Sequence, residues 1–585
     1  MRNRKNIRAV SSAARTWPLS LGQRGVLPNV YDVGLFICIA AVFAAIAHAG
    51  REIEAPLTRL NLAPVTLEIR HLPDYALRTT LRMFAAILVS LAFTFVVAPL
   101  AAKSRKAALV IVPALDVLQS VPVLGFLTFT VIFFMRLFPG RQLGIECAAI
   151  FAIFTSQAWN MTFSFYQSLR TLPRDLDEVS RHFRLSAWLR FWRLEVPFAA
   201  PGLIWNTMMS MSGSWFFVVA SEAITVGDTT VKLPGIGSWL AVAIDQRNVQ
   251  AVVIAVLVMG AVIFAYDQLL FRPIVAWADK FRFEQTAAQQ RPKSWMYDIV
   301  RRTRLVRRLV RPLGQLIAGL PLTTGQPRRR RPLPAGLARA GDLLWLLLVV
   351  CTLAYALREI VDYVAAALNW TDVTTAVWLG FLTLIRVVVL ILLASLIWVP
   401  IGVWIGLRPV VAERVQPIAQ FLAAFPANVL FPIAVVAIVA FRLSPNLWLS
   451  PLMVLGTQWY ILFNVIAGAS AFPTDLREAS TLFRLRPWQW WREVMLPAIL
   501  PYYVTGALTA SGGSWNASIV AEVSSWGDTK LQAAGIGSYI AQASEVADYH
   551  RVVLGVAVMS VYVVVVNRLL WRPLYTYAER RTRLD

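Results

Sequence analysis

The residues best suited to chemistry occur in two matching sets, one in each half of the chain. Glu178 and Glu478 each open a short polar stretch, rich in Arg and Trp, that stands between long apolar segments. Large aromatic and Arg side chains are typical anchors of a protein interface, and the same residue types also suit a membrane surface. From the residues alone, both interpretations of these two polar stretches stay open.

A second acidic pair, Glu222 and Glu522, ends a later apolar run in each half. An acid at membrane depth is a functional candidate by default. Because Gly227-Asp228 follows at once, we interpret the two glutamates as an interfacial cap or the brace of an outer gate, in preference to a substrate ligand. Arg136 and Arg442 end an earlier apolar run and could attract an anion to the outer mouth, although snorkelling anchors are the simpler interpretation.

Small and polar residues also occur along the apolar run that precedes each of these glutamates. They predict a close helix–helix seam, a translocation path between the two halves, or both on different faces of one helix. The candidate path residues are Asn206, Ser210, Ser214 and Trp215 in the first half, and Thr509, Ser514, Trp515 and Asn516 in the second.

These matching residues belong to an internal duplication with an offset of 300 residues. Gly235-Ile236-Gly237-Ser238 returns at Gly535-Ile536-Gly537-Ser538, and Arg272-Pro273 returns at Arg572-Pro573. An offset that persists over about 100 residues marks a repeated structural unit.

Composition assigns the chain to a membrane. The 585 residues are 58% hydrophobic and 15% charged, with a mean hydropathy of +0.60. The apolar residues form runs of about 18 or more, as membrane-spanning helices require. The net charge of +24 does not indicate a nucleic-acid partner, because Lys and Arg lie mainly between the apolar runs. Three distant cysteines and four scattered histidines predict neither a disulfide framework nor a metal centre.

The predicted fold class is therefore an all-α, polytopic membrane protein with about twelve spans in two six-helix repeats. The spans are expected near residues 31–49, 80–101, 109–138, 143–165, 199–220 and 249–270, and near 342–363, 374–405, 415–441, 447–469, 498–520 and 551–570. Pro113 and Pro122 interrupt the third span, which we expect to be a short helix followed by the true span. The predicted units are a cytoplasmic segment 1–30, repeats 31–275 and 341–576, a basic linker 276–340 and a tail 577–585.

Charge predicts the orientation of the chain. With the basic N-terminus in the cytoplasm, four crossings return the chain to that side at the Arg-rich stretch 170–193, and six return it at the linker. An even number of crossings in each half makes the copies parallel, with both termini cytoplasmic. The linker's positive charge predicts contact with anionic lipid headgroups.

The polar stretches resemble the E-A-A-x-x-x-G-x(9)-I-x-L-P motif of the permease subunits of binding-protein-dependent ABC importers. Glu178 and Glu478 match the motif Glu, whereas Arg184 and Arg484 stand where the family has Gly. Stretches such as 514–522 and 567–574 look like the nitrate, sulfonate and taurine branch. The residues expected to couple to the ATPase are Glu178, Ser180, Arg184, Leu185 and Pro197, and Glu478, Ala479, Arg484, Leu485 and Pro497.

The resemblance implies two type I permease repeats fused in one chain of the bacterial inner membrane, moving a small anion by alternating access and performing no catalysis itself. The chain contains no G-x-x-x-x-G-K-[ST] motif, so ATP and Mg²⁺ are expected on a separate ATPase, present in two copies. The Gly-rich outer segments 227–247 and 527–547 are candidate contacts for an extracytoplasmic solute-binding protein. The alternatives are an ion-coupled secondary transporter with two parallel halves, and a membrane scaffold or receptor.

Overall fold

The computed structural model describes residues 65–120, 125, 127–183, 185–226, 229–281, 294–303, 335–470, 472, 480 and 482–582. The predicted cytoplasmic segment 1–30, the first expected span near 31–49 and most of the basic linker lie outside these residues. The described elements of the first half are α1 Leu72–Lys103, α2 Arg105–Ser120, α3 Leu127–Leu137, α4 Gln142–Arg170, α5 Arg174–His182, α6 Ala187–Arg190, α7 Val196–Glu222, β1 Ala223–Val226, β2 Thr229–Lys232, α8 Ile236–Asp245, α9 Val249–Tyr266 and α10 Arg272–Ala278.

A short helix, α11 Trp295–Arg302, stands between the halves. The second half repeats the order of the first. Its elements are α12 Ala335–Ala365, α13 Trp370–Gly406, α14 Pro409–Ala424, α15 Phe431–Ala440, α16 Pro445–Trp448, α17 Leu452–Leu455, α18 Gln458–Ser470, α19 Pro487–Gln489, α20 Leu496–Ala521, β3 Val523–Trp526, β4 Thr529–Gln532, α21 Ile536–Glu545, α22 Tyr549–Val566 and α23 Arg572–Thr582.

Within the described ranges, six helices are long and apolar enough to cross a membrane, and eight if each bent helix pair counts as one span. The prediction of about twelve spans also counted the run near 31–49, the α2–α3 region, α4 and α7. Helix α4 is 29 residues long but carries polar side chains such as Glu146, Gln157 and Asn160, which bond inside the protein. The structure therefore confirms the all-α, polytopic class with two repeats.

The expected break in the third span occurs in both halves. In the first half α2 ends at Ser120 and α3 begins at Leu127, while Pro113 lies within α2 and does not interrupt it. In the second half the chain bends by 77° between α14 and the helical segment that begins at Ala427. In the sequence a proline stands between the two helical segments on either side of each break, Pro122 or Pro426, as expected from a residue that cannot continue the helical hydrogen bonding.

Both polar loops lie at one end of the molecule, and both β-hairpins lie at the other. Lys103 at the end of α1 bonds Glu195 beside the first loop, and Ser470 at the end of α18 donates to the carbonyl of Gly406 at the end of α13. At the opposite end the turn of the second hairpin contacts α8 of the first half, where the Gly527 amide donates to the carbonyl of Ile244. The two repeats are therefore parallel.

The broken helix of each half packs into the core of the other half. Leu127 and Val131 of α3 belong to the main core of the second half. Val429, at the break between α14 and α15, is fully buried in the core of the first half. This exchange brings the broken segments against α7 and α20, the helices that end at Glu222 and just before Glu522.

Candidate functional site

Glu222 lies at the C-terminal end of α7, where it is completely buried. One carboxylate oxygen accepts hydrogen bonds from Thr79 Oγ1 and Arg82 Nη1, each at 2.7 Å, and the other accepts from the Gly237 amide at 2.7 Å. A Cβ on Gly235 would lie 2.3 Å from this carboxylate, so only glycine fits at this position. The glutamate therefore fastens α1, α7 and α8 together at the hairpin end.

Glu522 occupies the same place in the second half and is 1% exposed. It accepts from Thr383 Oγ1 at 2.8 Å, from Arg386 Nη1 at 3.1 Å and from the Ser538 amide at 3.1 Å. A Cβ on Gly535 would likewise lie 2.3 Å from the Glu522 carboxylate. A buried carboxylate that is fully paired in this way is a structural clamp, because removal of one partner is strongly destabilising.

The two clamps differ by one charge. In the first half Arg82 also makes two hydrogen bonds of 2.6 Å to Glu146, so one guanidinium faces two carboxylates. In the second half Arg386 bonds the single carboxylate of Glu522, and the side-chain oxygen of nearby Asn446 accepts from the Ala534 amide at 2.8 Å. The sequence prediction missed Thr79, Arg82, Glu146 and their counterparts. A repeated T-x-x-R within an apolar run, at Thr79 and Thr383, was the available signal for partners of a buried acid.

The two candidate gate arginines lie at the hairpin end and are exposed. Arg136 is in the last turn of α3, and Arg442 follows α15 with a positive φ of 51°. A direct contact between them is not seen, and their proposed role toward an anion stays a prediction.

Local hydrogen bonds and ion pairs hold the first polar loop together. Ser186 caps α6 by accepting from the Leu189 amide at 3.2 Å, and buried Ser180 donates to the carbonyl of Asp177 at 2.7 Å. Arg190 contacts Asp177 at 2.6 Å and Glu195 at 3.1 Å. Glu178 remains exposed, Leu185 is half-buried, and Arg184 lies outside the described residues.

Apolar side chains project from both polar loops. Phe183 is 72% exposed, Phe483 is 79% exposed and Trp488 is 71% exposed. Phe191 and Trp192, two of the large aromatic residues of the first polar stretch, pack edge-on against Phe95. The surface available for docking is therefore the tip of each loop.

In the second loop the structure describes Arg484, Leu485 and Pro497, whereas Glu478 and Ala479 lie outside the described residues. Arg484 has a φ of 46°, in the left-handed region. The sequence departs from the family motif at this position, and the structure makes the left-handed turn there without glycine. An L-residue adopts that conformation at a cost of about 1 kcal/mol or more.

A π-helical turn joins each loop to the long helix behind it. The turn spans Phe191–Glu195 in the first half and Trp490–Met495 in the second. Two further π-turns, Asp267–Phe271 and Asn567–Trp571, precede α10 and α23. A proline stands two residues after each turn: Pro197, Pro497, Pro273 and Pro573. Because a proline ring clashes with the carbonyl four residues earlier, the wider π-turn relieves that clash.

Half of the candidate path residues bond across a seam within their own half of the protein. Asn160 donates to Ser210 and Asn206 donates to Ser164, each at 2.9 Å, while Ser214 bonds Ser156 at 2.7 Å. In the second half Ser514 bonds Thr457 at 2.9 Å.

The remaining candidate path residues bond locally or fill the core. Thr509 and Asn516 donate to carbonyls one turn earlier in α20. Trp215 and Trp515 are buried and lie against Tyr266 and Tyr562. Contact of any of these residues with a substrate stays a prediction.

Comparison with known proteins agrees with the duplicated architecture. Residues 90–272 and 398–584 each match the family described as binding-protein-dependent transport system inner membrane component. The nitrate import permease protein NrtB of Leptolyngbya laminosa is 28% identical over 192 residues, which are 33% of this chain and 65% of that protein. The bicarbonate transport system permease protein CmpB of Synechocystis sp. is 31% identical over 132 residues, 22% of this chain and 45% of that protein. The chain thus matches less than two-thirds of the length of these relatives.

Proposed function

Since the chain belongs to the family of binding-protein-dependent transport system inner membrane components, we propose that it carries both permease halves of an ATP-driven importer on one polypeptide. The family is one of transport permeases and not of enzymes. The observation that carries the proposal is the pair of equivalent polar loops at one end of the molecule, each with exposed aromatic side chains and each continuous with a long helix that reaches the opposite end.

The partner at the loop end is a separate ATPase, which binds ATP and Mg²⁺ and is present in two copies, one for each loop. Phe183 and Phe483, with Trp488, are the anchors that would enter a groove on each ATPase. Closure of the two ATPases would move the loops toward or away from each other. Because the loops continue into α7 and α20, that movement reaches the seam between the halves and the clamps at Glu222 and Glu522.

Charge supports a cytoplasmic location for the loop end. Arg170, Arg190 and Arg193 lie at the first loop, and the basic linker leaves α10 at the same end. Positive segments beside membrane helices are retained in the cytoplasm. The hairpin end then faces outward, where β1–β2, β3–β4, α8 and α21 offer a surface to a solute-binding protein.

The substrate proposed for this permease is a small oxyanion. The similar proteins are named for nitrate import and for bicarbonate transport. Both anions are planar, singly charged and of similar size, so one scaffold can adapt to either by a few changes of hydrogen-bonding side chains.

The proposal is tested by joint reconstitution of the chain with its ATPase and binding protein in vesicles. We expect uptake that requires ATP, and we expect Glu178→Ala with Glu478→Ala to retain ATP hydrolysis while losing most uptake. Asp298→Ala, on α11, is the control for a general effect of removing an acid near the loop end. Uptake driven by an ion gradient without the ATPase would instead identify a secondary transporter, and absence of any uptake would favour a scaffold or receptor.

A further inference from the structure

One face of α7 is turned toward the other half of the protein. Met209 packs in a cluster with Ile405, Leu462 and other residues of the second half. Phe216 packs against the main core of the second half. Gly213 lies between them at helical spacing, so Met209, Gly213 and Phe216 share a face. This face is distinct from the one that carries Ser210 and Ser214, whose hydroxyls bond α4 within the first half.

At Gly213 the second half approaches the α7 backbone closely through Tyr460. A Cβ on Gly213 would lie 2.7 Å from the Tyr460 hydroxyl oxygen. Within the described ranges this hydroxyl has no hydrogen-bond partner. A phenol hydroxyl is both a donor and an acceptor, and one held at the seam between two halves without a partner is available to a ligand.

One turn further along the same face, the second half contributes Asn428 from the break between α14 and α15. Its amide nitrogen donates to the carbonyl of Phe216 at 3.2 Å. The side chain is 8% exposed, and its oxygen is buried without a partner among the described residues. An unpaired buried polar atom costs about 1 to 3 kcal/mol, so a ligand that donates a hydrogen bond there would recover that cost.

The first half offers no equivalent of these two residues. Asn160, at the position of Tyr460, bonds Ser210 of its own half. Two residues after the proline of each break the chain has Leu124 in the first half and Asn428 in the second. Among the described residues, this pair of polar groups is therefore contributed to the seam by the second half only.

We propose that Tyr460 and Asn428, here called the interface pair, are substrate-contacting residues of the translocation path, and that they select a small oxyanion carrying its own O–H donor, such as hydrogencarbonate. The Tyr460 hydroxyl donates to an anion oxygen, and the Asn428 side-chain oxygen accepts from the anion's O–H. Nitrate presents acceptors only and leaves the Asn428 oxygen unsatisfied. This inference rests on the proposed importer function and assigns the path to the Met209–Gly213–Phe216 face of α7.

The test compares uptake of labelled hydrogencarbonate and labelled nitrate by the full permease, ATPase and binding-protein complex in vesicles. Asn428→Leu copies the residue of the first half, and Tyr460→Phe removes only the hydroxyl. We expect Asn428→Leu to lower the hydrogencarbonate-to-nitrate uptake ratio by about tenfold or more, because a site built around a substrate hydroxyl discriminates strongly against analogues without one. Tyr460→Phe removes a donor that both anions can use, so it should lower the uptake of both. ATP hydrolysis stimulated by the binding protein should change less than twofold.

Glycine variants supply the matched control. Gly213→Ala places a methyl group against the Tyr460 hydroxyl and should reduce uptake, whereas Gly512→Ala in the second half meets no atom within 4 Å and should not. An unchanged uptake ratio in Asn428→Leu, or unchanged uptake of both anions in Tyr460→Phe, overturns the inference. ATP-dependent uptake of some other solute and of neither anion also overturns it while leaving the importer intact. Absence of any ATP-dependent uptake by the unaltered complex rejects the proposed function as well.

Discussion

The extra carboxylate in the first clamp predicts that the two halves respond unequally to loss of their buried arginine. Arg386→Gln leaves one buried carboxylate, Glu522, without its cation, and breaking a buried pair costs about 3 to 5 kcal/mol. Arg82→Gln leaves two, because Arg82 holds both Glu146 and Glu222. Two carboxylates about 5 Å apart repel by roughly 3 kcal/mol at an effective dielectric constant of about 20. Arg82→Gln should therefore be the more destabilising change by about that amount.

A second substitution isolates the repulsion. Glu146→Gln in the Arg82→Gln background should recover the difference of roughly 3 kcal/mol and make the double variant resemble Arg386→Gln. Glu146→Gln alone should change stability by about 1 kcal/mol or less, because Arg82 keeps Glu222 as its partner.

The measurement is the free energy of unfolding of the purified protein in mixed micelles of lipid and denaturing detergent, with folded yield as a second readout. Equal destabilisation by Arg82→Gln and Arg386→Gln would refute the argument that Arg82 neutralises two buried carboxylates where Arg386 neutralises one. So would a double variant no more stable than Arg82→Gln alone.

Two further predictions concern the polar loops. Arg484→Gly should raise the free energy of unfolding by up to about 1 kcal/mol, because glycine adopts the left-handed conformation of this position without a side-chain clash; Arg486→Gly, at a position with a φ of −63°, should give no gain in the same unfolding assay. Pro197→Ala with Pro497→Ala should let the π-turns revert to α-helix, rotating each loop by about 100° relative to its long helix. We expect this double variant to transport at least about fivefold less substrate per ATP hydrolysed. The control Pro201→Ala, within α7, should leave that ratio nearly unchanged. Equal ratios in the double variant and in Pro201→Ala would contradict a role for the π-turns in coupling.

Much of the architecture could be read from local patterns. Apolar runs and the Lys/Arg segments between them predict spans and sides, because both depend on the transfer of each segment between water and lipid. The 300-residue repeat predicted which elements would match, and the structure confirms two parallel repeats of one helical order. The β-hairpins after Glu222 and Glu522 were not predicted, because strands of four residues around Gly-Asp carry too weak a pattern.

The residues of the candidate site were predictable in part. The sequence indicated that Glu222 and Glu522 were unusual, but it did not identify Arg82, which is 140 residues away from Glu222 in the chain. The aromatic residues of the loops were recognisable as a group. Their division into exposed tips and packed residues such as Phe191 depends on the neighbouring Phe95 of α1, which no local pattern reveals.

Membrane residence, duplication and the two matching loops therefore follow from the order of residues alone, because each depends on short-range composition and spacing. Which buried side chains pair with one another is decided only by the way the helices pack. Folding placed a guanidinium against two carboxylates in one half and against one in the other. It also turned the serine face of α7 inward to its own half and presented Gly213 to Tyr460 across the seam. Such contacts join residues far apart in the chain, and their free energy depends on burial and distance, which exist only in the folded protein.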